Sequence, residues 1–400
     1  MPGIGDHFTL LVPTFNRPVD LARLLRYLGR HSAAFPVLVL DSGDDESRAA
    51  TTSLVAGSDL NVRVLAYESL ITPFEKFLRG SEEVKTEFCA LCADDDVVML
   101  ESLPPLVEFL QQHPDFSAAH GWYFTFDSGR HLDVTALVYS GRSLDRPDPL
   151  RRLRDLFDRY EAVTYALYRT HVMRDVLRGV QPLATVLARE LLAGALTVVA
   201  GKVGRLPLFY YGRSLRPSEP SERWHPLQFL ISSPEELFGQ YGEYRERLLE
   251  AFGRTGYRSC GATELRGVID LIHLRYLSEY ATPELLNYLI EERIAGTSRQ
   301  DILQGAWPRL APSTSRVVNG LRYSRRLRRI RDRFAPAFRL RHVSRLLGLA
   351  EDRTVTATTA AGQPRTYRLN ADFLSALARA DRPLVSDPVG GLIRALNAYE

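Results

Sequence analysis

Three consecutive carboxylates, Asp94, Asp95 and Asp96, close the apolar run Phe88 to Ala93. Like charges side by side repel, so a chain that keeps them either dissolves them in water as a turn or gives them a cation. The run before them reads as a buried strand. Carboxylates held at a rigid strand end can bind Mg²⁺ or Mn²⁺, hard ions that take oxygen ligands and are commonly shared with substrate phosphates. A phosphate-bearing ligand is the expected partner. Two further polar clusters, Pro13 to Asn16 and Asp41 to Asp44, follow apolar runs in the same way. Cys89 and Cys92 have a C-x-x-C spacing that could serve redox or metal chemistry. Residues three apart on a strand face opposite sides, however, so both are expected to be packed core thiols.

The elements that must position these clusters alternate regularly. Phe8 to Val12 is an apolar run ended by the turn residues Pro13 to Pro18. Leu21, Leu24, Leu25 and Leu28 then recur at helical spacing, and Val37 to Leu40 is a second strand ending at Asp41. A helix through Leu54, a strand over Asn61 to Tyr67, a helix over Pro73 to Arg79 and a strand over Glu87 to Ala93 complete a βαβαβαβ order. That order predicts an α/β fold, with a mostly parallel sheet flanked by helices. Binding residues in such sheets collect beyond the carboxyl ends of the strands, so the three clusters are expected on one rim. Downstream, helices are expected over Leu103 to Gln111, Pro149 to Arg159, Thr170 to Leu177 and Thr185 to Val199. Strands are expected over Trp122 to Phe126, His131 to Val138 and Gly201 to Gly212, and a loop over Arg213 to Pro226. From Leu227 the pattern is mainly helical, with one hairpin over Arg353 to Leu369 whose alternating runs are broken by Gly362 and Pro364. At 400 residues the chain exceeds one compact domain, and a boundary near residues 225–235 divides it into a site-bearing domain, 1–228, and a mainly helical domain, 229–400.

Four segments in order, "LLVPTFNRPVDLARLL" (Leu10 to Leu25), "VLVLDSGDDES" (Val37 to Ser47), "ALCADDDVV" (Ala90 to Val98) and "ARELLAGALTVVAGKVGRLP" (Ala188 to Pro207), resemble the family 2 glycosyltransferases. These are inverting enzymes of the Rossmann-like GT-A fold that use nucleotide-activated sugars. The resemblance covers about residues 8 to 212. It implies that Pro13, Thr14 and Asn16 line the nucleoside pocket and that Asp41 meets the base, commonly uracil, so that a UDP-sugar is the expected donor. Asp94 and Asp96 match the family's D-x-D, with Asp94 toward ribose or metal and Asp96 a direct metal ligand. Asp95 is the alternative ligand if the alignment slips by one position. Mn²⁺ or Mg²⁺ would neutralise the diphosphate leaving group. The family's general base is the Asp of a Glu-Asp pair at a helix start. Here the matching place reads Arg189-Glu190, which makes Glu190 the candidate base, one methylene longer than the family's. A second reading has Glu190 merely complementing a helix dipole. His225, beside Trp224, is implied as a third metal ligand or a diphosphate contact, against plain packing. Arg213 and Arg216 either hold phosphate or are solvated loop arginines. Trp122 and Tyr123 either stack on sugar or sit in the core.

Two other functions compete with sugar transfer. A sugar-1-phosphate nucleotidyltransferase needs a Gly-rich phosphate loop with Arg and Lys after its first strand, which Pro13 to Pro18 is not. A catalytically silent nucleotide-sugar-binding protein stays open. From Arg316 to Arg345 eleven arginines stand against the single acid Asp332, while Tyr323, Leu327, Ile330 and Phe334 recur at helical spacing. Such a helix either lies on an anionic membrane surface, which would suit a lipid-linked acceptor, or packs its apolar stripe and leaves its arginines solvated. Saccharide and small-molecule acceptors remain equally open. No nucleic-acid-binding motif accompanies the charge, so nucleic acid is not an expected partner. An odd count of three cysteines fits a reducing compartment. Met1 to Asp6 lead into no apolar signal-like core, and Leu191 to Ala200, the best apolar candidate, falls short of the roughly 20 residues that span a bilayer. The expectation is a cytoplasmic protein, peripheral at the inner membrane face if the basic helix binds lipid.

Overall fold

The computed structural model of the chain describes residues 4–127, 132–215, 234–279, 283–298, 301–302, 353–359, 361–380 and 387–400. The sequence-predicted basic helix over 316–345 lies outside the described residues, as do Arg216, Trp224 and His225.

The alternation takes the form β1 (Phe8–Thr14), α1 (Pro18–Arg30), β2 (Val37–Asp41), α2 (Asp45–Ala56), β3 (Val62–Ala66), α3 (Pro73–Glu82) and β4 (Phe88–Leu91). The apolar runs are strands because they are covered on both faces. Leu10 and Val12 of β1 enter one core and Leu11 the other, and Val37 and Val39 of β2 part from Leu38 and Leu40 in the same way. Prolines already locked near helical φ open α1 and α3, and the Thr72 hydroxyl caps α3 by accepting from the Glu75 amide. β1 pairs in parallel with β2 and β4, and β2 with β3, so the ends of β1, β2 and β4 share one rim. Cys89 and Cys92 are buried in the two separate cores, as packed thiols on opposite faces should be.

Beyond β4 the sheet becomes mixed. The chain continues through β5 (Val97–Val98), α4 (Leu103–Gln112), β6 (Phe116–Asp127), β7 (Asp133–Tyr139), α5 (Pro149–Asp158), β8 (Leu167–Arg169), α6 (Thr170–Val180), α7 (Val186–Ala200) and β9 (Lys202–Leu215). β8 runs antiparallel to β4 and β6, and β9 runs parallel to β6 while its far end pairs antiparallel with β5. β6 is longer than its sequence pattern suggested, because it is buried along nearly its whole length and has no polar face to reveal its period. Trp122 and Tyr123 lie in the core, so the sugar-stacking reading is corrected. Arg213 also departs from expectation: it belongs to β9, paired with Thr125 of β6, where a loop was predicted.

The remaining described elements are α8 (Pro234–Arg254), α9 (Ala262–Ser278), α10 (Pro283–Ile294), β10 (Arg353–Thr358), β11 (Pro364–Leu369), α11 (Ala371–Arg379) and α12 (Pro388–Tyr399). α8 packs against α7, and α9 against α5. β10 and β11 form the expected hairpin, with Gly362 at φ +77°, a conformation glycine adopts without a Cβ clash. This hairpin joins the same sheet as the site-bearing strands, because β11 pairs with β7, and α12 packs on α1. Among the described residues, no helix is long and apolar enough to cross a membrane.

Candidate active site

Parallel register sets Thr14 beside Asp41 at the ends of β1 and β2. The turn after β1 carries Asn16 at φ 54°, a left-handed conformation that asparagine tolerates better than most residues. Its Oδ1 accepts from the Asp44 amide at 2.8 Å, tying the two loops together. Gly43 stands where a Cβ would come within 2.9 Å of that same oxygen. Asp41 Oδ1 accepts from the Gly43 amide at 2.7 Å, whereas its Oδ2 is buried without a hydrogen-bond partner. Pro13 is half-buried beside them, paired with Leu40.

Lys76 was not singled out by its sequence context. It lies on the core side of α3, buried, and its ammonium donates to the Thr14 carbonyl at 2.9 Å and the Ser42 hydroxyl at 2.8 Å. Burial pushes its pKa down to about 8, against the opposing pull of Asp94 and Asp41. A cation thus lies beneath the rim, facing two of the predicted carboxylates.

The acidic loop leaves β4 and returns as β5. Thr14 Oγ1 donates to Asp94 Oδ2 at 2.7 Å, and the Arg17 guanidinium lies 3.7 Å from Asp94 Oδ1 and 3.3 Å from Asp95 Oδ2. Because β5 pairs with β9, Asp96 lies against that strand. Its Oδ2 accepts from the Tyr211 hydroxyl at 2.9 Å and its Oδ1 from the Ser214 amide at 2.8 Å. Burial first, and the charge of Asp95 second, push Asp94 up to about 7 and move Asp96 in the same direction. These carboxyl groups lack enough positive charge around them to ionise at their usual pKa, which is the electrostatic condition for taking up a cation.

Glu190 lies on α7 beyond the first turn, which contains no acid, so the dipole reading loses its geometric basis. The Thr185 hydroxyl caps α7 by accepting from the Ala188 amide at 3.2 Å. Arg189, in the position where the family has Glu, is buried. It donates to the Leu183 carbonyl at 2.5 Å, the Gln181 carbonyl at 3.1 Å and the Thr72 hydroxyl at 2.7 Å, fastening the start of α7 to the start of α3. Tyr160 donates to Glu190 Oε1 at 3.4 Å. Arg213 lies between the two halves of the site: it donates to the Tyr139 hydroxyl at 3.3 Å, and its charge acts on both Asp96 and Glu190.

The described residues therefore gather Pro13, Thr14, Asn16, Asp41, Asp94, Asp95 and Asp96 on one rim, with Glu190 linked electrostatically through Arg213. Sequence reading missed Lys76, Arg17, Tyr160, Tyr211 and Ser214. A lysine between Phe74 and Phe77, in a chain with only three lysines, was the available signal for the first.

Comparison with known proteins adds three findings. The sequence profile of glycosyl transferase family 2 matches residues 9–177. No curated protein matches the chain. Among solved structures, residues 1–349 of S. aureus TarS in complex with UDP-GlcNAc superpose with a TM-score of 0.51 at 16% identity, covering 90% of this chain and 99% of that one. The same fragment in complex with UDP gives a TM-score of 0.49 at 16% identity, covering 90% and 95%. Against a longer TarS chain the TM-score is 0.40 at 17% identity, and this chain spans 43% of that length. At such identity the likeness establishes the fold alone, a central sheet flanked by helices as in GT-A proteins. The profile match spans less than half of the chain, and over residues 9–177 the chain is similar to glycosyl transferase family 2.

Proposed function

We propose that the chain transfers a sugar from a nucleoside-diphosphate sugar, a UDP-sugar, to an acceptor hydroxyl with inversion and with the help of a divalent metal ion. The observation that carries this reading is the convergence at the strand ends: Asp41 offers one unpartnered buried oxygen, Asp94 to Asp96 gather negative charge, and Glu190 faces the same arginine as Asp96. A uracil ring can donate an N–H to Asp41 Oδ2. S. aureus TarS 1–349, which shares the fold, is described in complex with UDP-GlcNAc, and that supports the same donor class here.

The donor set fits a hard cation. Asp94 and Asp96 are the residues that would hold Mg²⁺ or Mn²⁺, completed by phosphate and water, since among the described residues no three His, Cys, Asp or Glu side chains form a metal cage by themselves. When bound, such an ion neutralises the diphosphate as it leaves. Glu190, as carboxylate, accepts the proton of the acceptor hydroxyl. The acceptor oxygen then forms its bond to the anomeric carbon from the face opposite the diphosphate. The bond from that carbon to the diphosphate oxygen breaks with its electron pair, and UDP leaves. Arg213, whose charge acts on both Asp96 and Glu190, is suited to the diphosphate charge.

The test is turnover of UDP-sugars, read as UDP release with Mn²⁺ across a panel of acceptors. Wild type is expected to turn over and Asp96→Asn to lose that activity while keeping its circular dichroism. A fully active Asp96→Asn variant that ignores chelation would overturn the reading, as would a wild type that binds UDP-sugar without turnover under every acceptor condition.

A further inference from the structure

Residues 92–96 lie between β4 and β5, outside the strand ladders, so their backbone groups need partners of their own. The carbonyls of Asp95 and Val98, on either side of Asp96, both accept from tyrosine hydroxyls. Tyr27 of α1 donates to the Val98 carbonyl at 2.7 Å, and Tyr399 of α12, 304 positions away in sequence, donates to the Asp95 carbonyl at 2.6 Å. The Tyr399 ring is fully buried and held from several sides. The Arg23 guanidinium lies 4.6 Å above it, Tyr27 meets it edge-on at 5.9 Å and Phe126 at 5.6 Å. Arg30 fastens the same turn of α12 by donating to the Ala398 carbonyl at 3.3 Å. Tyr27, Phe126 and Tyr399 are all buried, and burial pushes the two tyrosine hydroxyls up, away from ionising, so the three rings form a rigid support.

We propose that Tyr399 is a positioning residue for the donor site: its hydroxyl fixes the backbone that presents Asp94, Asp95 and Asp96 to the nucleoside diphosphate. This rests on the function proposed above. The bond makes a segment remote in sequence part of the donor site's support. Tyr27 is its counterpart on the other side of Asp96, holding β5 where the loop ends, and the two backbone anchors add to the bonds that Thr14, Tyr211 and Ser214 make to the carboxylates themselves.

Calorimetric titration of the full chain with UDP in the presence of Mn²⁺ tests this, alongside melting of the unliganded protein. Tyr399→Phe keeps the ring and removes only the donor. It is expected to melt near wild type and to bind UDP about threefold to tenfold more weakly, the range one neutral hydrogen bond commands. Tyr27→Phe is expected to weaken binding in the same direction, and the double variant by less than the product of the two, since both act on one loop. Unchanged UDP affinity in Tyr399→Phe overturns the proposal and leaves the function standing. Lower melting temperature at unchanged affinity, or failure of the variant to fold, assigns Tyr399 a structural role and also overturns it. A wild type that binds no UDP overturns the function and the inference together.

Discussion

Burial pushes the Glu190 carboxyl up to about 7, while the Arg213 charge and the Tyr160 hydroxyl pull it the other way. A general base works in its charged form, so kcat/KM for sugar transfer is expected to rise with pH through about 7 and to level off above it. Glu190→Gln should lose that limb together with about a hundredfold or more of turnover. Glu190→Asp should keep the limb at reduced kcat, because its carboxylate is withdrawn by one methylene. A wild-type profile flat across the neutral range would remove Glu190 from the role. Other residues around it were less legible in sequence than Glu190 itself. Asp41 and Asp94 to Asp96 could be read because each ends an apolar strand, and the strand end fixes where the side chain goes. Lys76 could not, because a lysine in an amphipathic helix reads as solvated. The Thr14 carbonyl and the Ser42 hydroxyl, brought over it by the sheet, hold it inside, with the charges of Asp94 and Asp41 beside it.

Helix-on-helix packing beside the site creates a separate acid sensitivity. His273 of α9 is buried, with Nδ1 against the Ile269 carbonyl at 2.8 Å, Nε2 against the Tyr244 hydroxyl of α8 at 2.7 Å, and its ring 4.5 Å from Phe157 of α5. Burial lowers its pKa to about 4, although the Ile269 carbonyl and Asp270 favour the charged form. The sign follows from proton uptake. Above about pH 6.5 both states are neutral and the full stability is present; between there and about 4 the unfolded chain takes up a proton that the folded chain refuses. Stability is therefore expected to fall on acidification, by about 3 kcal/mol over that interval. His273→Asn should flatten this part of the profile, measured as urea midpoints between pH 7 and 4, and an unchanged slope would assign the acid sensitivity elsewhere. The βαβ elements before residue 92 were legible because buried parallel strands and leucine-spaced helices have unmistakable periods. β8 was not, since three residues give no period, and neither was the far end of β9. Arg213 and Ser214 look like loop residues until β5 and β6 pair with the backbone around them.

At the scale of the molecule, the sheet gathers strands from opposite ends of the sequence, and this was the least legible feature. A hairpin with alternating residues announces itself but not its neighbour, because alternation marks which face of a strand is buried and not which strand lies beside it. The contact is made by β11 on β7 and secured by Asn370, which caps α11 by accepting from the Phe373 amide at 2.7 Å. Its side-chain amide also donates to the Val134 and Thr135 carbonyls at 3.2 and 2.8 Å. β7 in turn pairs with β6, the strand that runs beside β9 and the site. Asn370→Ala removes the cap and both bridging bonds, and is expected to cost about 1–3 kcal/mol. Hydrogen exchange locates where that loss is felt. If the hairpin, α11 and the site-bearing strands open as one cooperative unit, amides in β1 and β6 lose protection along with those in β11, by a similar factor. Loss confined to residues 353–380 would mean that this segment opens on its own while the site-bearing strands stay closed. UDP affinity should stay unchanged in the variant, because Asn370 holds the sheet edge and touches none of the groups that support the acidic loop.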